Sequence, residues 1–202
     1  MLDLSTLTQD FDVILLAAGT SSRMGKENKL LIQHNNKTLI QSSLDLLTKY
    51  SFNQIILVTG HQPEELLGHI NTTSDLTIVH NPDFATGQTS SIQAGLSKLS
   101  KASSYFMICL SDMPFLKKHH LEKLITFSAD TNAEICRPIV DKIPGHPVIF
   151  KRHFAQQLND CTDVNGCRTV IKQNFELLKV YKTEDKAYVQ DIDRQEDKEL
   201  LS

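Results

Sequence analysis

Apolar runs too continuous to alternate between a core face and a wet face recur in the first half of the chain, at residues 13–17, 54–59, 76–80 and 105–110. Strands of this kind are covered on both sides, as in parallel sheets. Between them the apolar positions repeat at helical spacing. Residues 39–50 carry Leu39, Ile40, Leu44, Leu46 and Leu47, and residues 63–70 and 91–99 also read as helices. The order β-α-β-α-β-α-β predicts an α/β fold: a Rossmann-like, doubly wound, mainly parallel sheet in three α/β/α layers, with ligands beyond the carboxyl ends of its strands.

The second half is more mixed. A helix is predicted over 116–129, then strands over 134–138 and 147–150 flanking a Gly/Pro turn. Helices over 151–158 and 168–173, short strands over 177–181 and 188–191, and a closing helix over 195–201 follow. No internal repeat, linker or low-complexity block interrupts the pattern. One domain over residues 1–202 is expected, with the part from about 130 to 202 as a substrate-binding elaboration.

Composition narrows the function more than the fold. A chain of 202 residues suits one core, and 40% hydrophobic with 22% charged residues is ordinary for a soluble protein. No segment approaches the ~18 apolar residues of a membrane span. The first twelve residues hold Asp3, Asp10 and Asp12 and lack the basic start and apolar run of a secretory signal, so a cytoplasmic location is expected. A net charge of −3 without a Lys/Arg block disfavours nucleic acid and membrane surfaces as partners and leaves room for a small anion held by local charges. Cys109, Cys136, Cys161 and Cys167 include no CxxC pair and read as reduced, mostly structural thiols.

The strongest chemical feature is the first strand running into Leu16-Ala17-Ala18-Gly19-Thr20-Ser21-Ser22-Arg23-Met24-Gly25, followed by Lys26 and Lys29. Small residues let backbone amides approach phosphate oxygens, and Arg23 with a lysine can neutralise a polyphosphate. Spacing excludes the two commonest phosphate loops. Gly19 and Gly25 are one residue too far apart for a Walker A motif, Glu27 stands where Ser or Thr should follow the lysine, and no GxGxxG occurs.

A second constellation, Ser111-Asp112-Met113-Pro114, directly follows the apolar run 105–110, where a strand end delivers a carboxylate to the ligand crevice. Magnesium takes few carboxylates, several waters and substrate phosphates, so Asp112 plus one distant oxygen ligand would hold it; the other reading is a helix cap. The stretch 81–91, with Asn81, Gly87, Gln88 and Ser90, offers hydrogen-bonding groups to a base, or a turn with a serine cap. Gly145-His146-Pro147 places a histidine in a turn, for contact with a phosphate or for packing.

Together these ordered motifs resemble the MobA-like nucleotidyltransferases, and within them the molybdenum cofactor cytidylyltransferases of the MocA type. The resemblance spans nearly the whole chain. It rests on the LAAG loop with Arg23-Met24-Gly25, on residues 81–96, on Asp112-Met113-Pro114, on Gly145-His146-Pro147 and on Asp191-Ile192-Asp193. It implies a fold of the nucleotide-diphospho-sugar transferase type and transfer of CMP from CTP to molybdopterin, with release of pyrophosphate.

The roles that follow place Leu16, Ala17, Ala18, Gly19, Arg23, Gly25, Lys29, Asn81, Gly87, Gln88 and Ser90 at the nucleotide. Gly145 and His146 fall to the acceptor, Arg23, Lys29 and Asp112 to catalysis, and Asp112 with Asp191 to Mg²⁺. A recipient molybdoenzyme is an implied partner. Ala18 looks like the cytidylyltransferase version of the loop, where guanylyltransferase relatives more often carry glycine. The chain departs from the pattern by one extra residue before Leu30, which makes Lys29 the matching lysine and Lys26 its alternative. It departs again by Ser111 in place of glycine and by Arg194-Gln195-Glu196-Asp197 where a Thr-Pro pair is common. A GTP-using guanylyltransferase, a sugar- or alditol-phosphate cytidylyltransferase, and a non-catalytic cofactor chaperone are the competing readings.

Overall fold

The computed structural model describes residues 3–201 except 22, 23, 25, 26, 72–75 and 165. Ten strands and seven α-helices follow in chain order among these residues: α1 (Leu4–Thr8), β1 (Phe11–Ala17), β2 (Gln33–His34), β3 (Lys37–Thr38), α2 (Leu39–Leu47), β4 (Gln54–Thr59), α3 (Pro63–Leu67), β5 (Leu76–His80), α4 (Gln88–Leu96), β6 (Tyr105–Leu110), α5 (Lys118–Asp130), β7 (Ile135–Val140), β8 (Ile143–Pro144), β9 (Val148–Lys151), α6 (Phe154–Asn159), α7 (Cys167–Gln173) and β10 (Leu178–Lys182). The main sheet has the order β10-β7-β9-β6-β1-β4-β5, with β8 paired to β7. β1 pairs parallel with β4 and β6, and β4 with β5, whereas β9 runs antiparallel between β6 and β7.

Helices cover both faces, which gives the expected three layers. One face packs Val13, Leu15, Ile55, Leu57 and Met107 against Ile40 and Leu44 of α2 and Leu121, Leu124 and Ile125 of α5. The other packs Ile14, Leu16, Val58, Phe106, Ile108 and Val148 against Ile92 of α4, Phe154 of α6 and Val170 and Ile171 of α7. Every residue of β1 is buried, as the continuous apolar run requires. Cys109, Cys136 and Cys167 are buried and all four cysteines are free thiols; burial pushes Cys136 and Cys167 up to about 12. Among the described residues no helix is long and apolar enough to cross a membrane.

Two expectations need correction. Residues 76–80 were expected to be covered on both faces, yet β5 is the edge strand of the sheet and Ile78 is 39% exposed. The segment 188–191 is not a strand. Its start belongs to a 3-10 turn, Lys186–Tyr188, in which the Asp185 carboxylate accepts the Ala187 N–H. Tyr188 is buried with its ring against His120 and its hydroxyl donating to the His120 carbonyl at 2.8 Å. From there the chain is held by single bonds instead of a ladder: His146 N–H donates to Tyr188 O at 2.9 Å and Ile192 N–H donates to Asp112 O at 2.9 Å. The closing helix over 195–201 is a 3-10 helix, Gln195–Leu201.

Candidate active site

Register fixes where the site forms. Ala17 lies opposite Thr59, Leu16 opposite Leu110, and Thr59 opposite His80, so the loops leaving β1, β4, β5 and β6 rise from one edge of the sheet. The chain steps outward from β1 to β4 and β5 and then returns to β6 on the other side of β1. That reversal opens the crevice in which ligands of doubly wound sheets bind.

A cavity of about 520 Å³ fills this crevice, lined by Leu16, Ala17, Ala18, Gly19, Lys29, Gly87, Gln88, Ser91, Asp112, Asp191 and Asp193 among others. Its floor is held tightly. The Leu16 carbonyl accepts both the N–H and the hydroxyl of Ser111, at 3.2 and 2.6 Å, and Ser43 Oγ donates to the Ser111 carbonyl at 3.1 Å. Ser111 therefore ties the base of Asp112 to the first loop. Gly60 sets the other side: a Cβ there would lie 2.7 Å from the Ala18 carbonyl oxygen, 2.8 Å from Ala18 Cβ and 2.6 Å from Phe84 Cβ.

Lys29 reaches the cavity from a short 3-10 turn, Lys29–Leu31, whose start is capped by Asn28. Its backbone N–H also donates to Ser21 Oγ at 3.1 Å. The ammonium bonds Asp112 Oδ2 at 2.6 Å and Asp193 Oδ1 at 3.1 Å. Burial works to lower Lys29, but the charge and hydrogen bond of Asp112, and then those of Asp193, outweigh it and hold the ammonium above its ordinary pKa. Burial and the Asp112 charge raise the Asp191 carboxyl above its ordinary value. Asp191 as a residue is exposed, so the Asp112 charge is the firmer cause.

The residues present fit a hard divalent cation. Among the described residues Asp112 Oδ1 is buried without a hydrogen-bond partner, and Asp191 and Asp193 supply further carboxylate oxygens on the same wall. Lys29 bridges Asp112 and Asp193, so two of the three aspartates are tied to one ammonium. Asp193 is the residue that the sequence reading named in a motif without giving it a role.

The remaining sequence candidates divide. Gly87 has φ 124°, a backbone that favours glycine, and forms the N-cap of α4 where Gln88 enters the cavity. Asn81 and Ser90 are not on the cavity wall: the Asn81 amide donates to Ser90 Oγ and Ser91 Oγ, both at 3.0 Å, and Ser90 Oγ donates to the Asp83 and Gly87 carbonyls. They staple the loop that carries Gly87 and Gln88. Arg23, Gly25 and Lys26 lie outside the described residues.

Gly145 and His146 line a second cavity, of about 440 Å³, which shares Gln88, Leu110 and Asp191 with the first. At Gly145 a Cβ would lie 2.4 Å from the Tyr188 carbonyl oxygen, so this close approach requires glycine. Burial, and then the nearby Arg137 charge, push the His146 imidazole down to about 4, which leaves it neutral at neutral pH. Arg137 and Arg168 also face this cavity, and the sequence reading assigned neither. A cationic residue inside the apolar run of β7 was the signal available for Arg137.

The MobA-like NTP transferase domain matches residues 13–179. The chain is 29% identical over 160 residues to molybdenum cofactor cytidylyltransferase of Escherichia coli (strain K12), covering 79% of this chain and 80% of that protein. It is 22% identical over 187 residues to nicotine blue oxidoreductase of Paenarthrobacter nicotinovorans, with 89% and 90% covered. In fold it is similar to Rv0371c of Mycobacterium tuberculosis H37Rv solved in complex with manganese, with a TM-score of 0.78 at 19% identity over 95% of this chain and 97% of that one. It is similar also to molybdopterin-guanine dinucleotide biosynthesis protein A of Archaeoglobus fulgidus, with a TM-score of 0.69 at 18% identity over 94% and 96%.

Proposed function

Because this chain belongs to the MobA-like NTP transferase family, and is thus a nucleotidyltransferase, we propose that it transfers CMP from CTP to the phosphate of molybdopterin or the molybdenum cofactor, releasing pyrophosphate. One observation carries the reading: two cavities meet at Gln88, Leu110 and Asp191, with Lys29, Asp112 and Asp193 at the nucleotide side of that seam. A donor and an acceptor bound one in each would bring their phosphates together there. The similarity to a cytidylyltransferase supports the choice of CTP and of the acceptor.

The roles of this chain's own residues follow from charge and position. The backbone from Leu16 to Gly19 lines the first cavity and cradles the triphosphate, joined by Lys29, with Arg23 assigned there by its motif. Gln88 at the head of α4 faces the nucleotide and fixes the base side. Asp112, with Asp191 or Asp193, would hold Mg²⁺, whose charge would offset the negative charge that builds on the phosphate oxygens. Residues from about 130 onward form most of the second cavity and orient the acceptor through Gly145 and His146.

The test is pyrophosphate release with molybdopterin and Mg²⁺, comparing kcat/KM for CTP and GTP. CTP is expected to be the better substrate. Ala18 lines the first cavity, and Ala18→Gly, which removes a methyl group and frees the loop backbone, should shift the ratio by roughly 1 to 3 kcal/mol without inverting it. A wild type that prefers GTP, or one that binds cofactor without turnover, overturns the cytidylyltransferase reading.

A further inference from the structure

The second cavity carries two arginines that pair with no carboxylate among the described residues. Arg137 lies on β7 two residues beyond Ile135, whose side chain packs into the core face covered by α6 and α7. Side chains two apart on a strand share a face, so Arg137 occupies a position where an aliphatic residue would satisfy packing. It is only 7% exposed. Among the described residues its guanidinium makes one hydrogen bond, to the Gly145 carbonyl at 2.9 Å, and its buried Nε–H has no partner. No carboxylate pairs with it, or with Arg168, among the described residues.

The groups that act on Arg137 offer no counter-charge either. The Cys167 thiol beside Arg137 is pushed up to about 12 by burial and is neutral, and Arg168 has the same sign. Burial lowers Arg137 to about 10, which still leaves it a cation at neutral pH. His146 Nδ1, in the same cavity, is also buried without a partner among the described residues. Asp191 lines the same cavity but is not within ion-pair distance of either arginine, and a buried arginine with an unused donor and no paired carboxylate among the described residues is an arrangement completed by a ligand.

We propose that Arg137, with Arg168, forms an anion subsite of the second cavity that holds the phosphomonoester of the acceptor. This rests on the reading of the protein as a nucleotidyltransferase and adds the group that the cavity recognises. An acceptor phosphate approaching the seam meets Asp191 on the shared wall and Asp112 beyond it, and Lys29 is already engaged with Asp112 and Asp193. The countercharge for the acceptor has to come from its own side, where Arg137 and Arg168 stand. A phosphate dianion then needs no base. One of its oxygens forms the new bond to the α-phosphorus while the bond from that phosphorus to the β-bridging oxygen breaks, and the electron pair leaves with pyrophosphate.

The experiment uses the full chain, saturated with CTP and Mg²⁺, and phenyl phosphate as the probe, titrated by calorimetry. Wild type is expected to bind phenyl phosphate alongside CTP. Arg137→Leu should weaken phenyl phosphate at least about tenfold, leave CTP affinity within about twofold, and melt at or above wild type, because an aliphatic group replaces an unpaired buried cation. Arg168 is exposed, so Arg168→Ala tests the same subsite without disturbing the core and should weaken the probe several-fold. The proposal is overturned if wild type does not bind phenyl phosphate, if CTP displaces it, if both variants bind it as wild type does, or if CTP affinity falls in parallel. A wild type that binds no nucleoside triphosphate overturns the transferase reading instead, and titration of the nucleotide-free protein then still decides for or against Arg137.

Discussion

Removing the Asp112 carboxylate tests its ion pair with Lys29 and its proposed metal role separately. Asp112 and Lys29 are 2.6 Å apart with side chains 15% and 11% exposed, so Asp112→Ala takes away an opposite charge from a nearly buried ammonium. Orphaning one member of a buried pair costs about 3–5 kcal/mol. Here Asp193 remains at 3.1 Å from Lys29, and loss of Asp112 also relieves the repulsion that raises Asp191. The net destabilisation is about 1–2 kcal/mol, which for a chain of this size lowers Tm by roughly 2–8 °C. A metal role adds a second signature. Wild type gains about 2.7 kcal/mol from a ligand at a hundred times its Kd, and the variant loses most of that gain, so the Tm gap should widen when Mg²⁺ and CTP are added. Turnover should fall to background. Differential scanning fluorimetry with and without Mg²⁺ and CTP, run beside a pyrophosphate-release assay, reads all three quantities. A Tm equal to wild type without metal refutes the charge argument. A gap that does not widen, or Mg²⁺-dependent turnover that persists, removes Asp112 from the metal site.

Gly60→Ala places a methyl group against the Ala18 carbonyl, which cannot swing aside as a flexible side chain would. A loss of about 1–3 kcal/mol in urea unfolding is expected, with KM for CTP raised more than KM for the acceptor, since Ala18 and Phe84 line the first cavity. Unchanged CTP kinetics would falsify the link between Gly60 and the loop. His146 titrates at about 4 in the folded protein against an ordinary 6.5, so the unfolded chain binds its proton first. Its contribution is therefore complete above pH 6.5 and is lost as pH falls towards 4, up to about 3 kcal/mol. His146→Gln, which cannot titrate, should flatten the decline of denaturation free energy between pH 6.5 and 4; an acid limb as steep as that of wild type counts against the assignment.

The sheet was legible wherever burial on both faces left a continuous apolar run. β1, β4 and β6 are such strands, and their carboxyl ends are where the LAAG loop and Asp112 were expected to meet. β5 reads the same way in sequence because nothing local distinguishes an edge strand from a central one; its position is set by pairing with β4 alone. Helix ends ran long for a related reason. Residues 48–50 continue the helical rhythm of α2, but the Tyr50 hydroxyl bonds the Lys118 carbonyl at 2.7 Å, a contact 68 residues away.

The acidic wall shows the same limit in the site. Asp191 and Asp193 flank Ile192, which is fully buried, and the Ile192 N–H on the Asp112 carbonyl brings this segment to the cavity wall. The motif announced the return of a carboxylate to the crevice, but spacing could not say that Asp193 would be the one to reach Lys29, because that depends on the loop from Asn28 to Leu31 on the far side. Arg137 was hidden by the opposite effect. Its run reads as a strand, and a strand reading treats a charged residue as facing solvent, whereas Arg137 is only 7% exposed and lines the second cavity with Cys167 and Ile171 of α7 and with Tyr188. The two cavities differ accordingly. In the first, Lys29 is matched by aspartates, so an incoming anion must displace a contact or arrive with a cation; in the second, no carboxylate pairs with either arginine among the described residues, which is the basis for the proposed anion subsite.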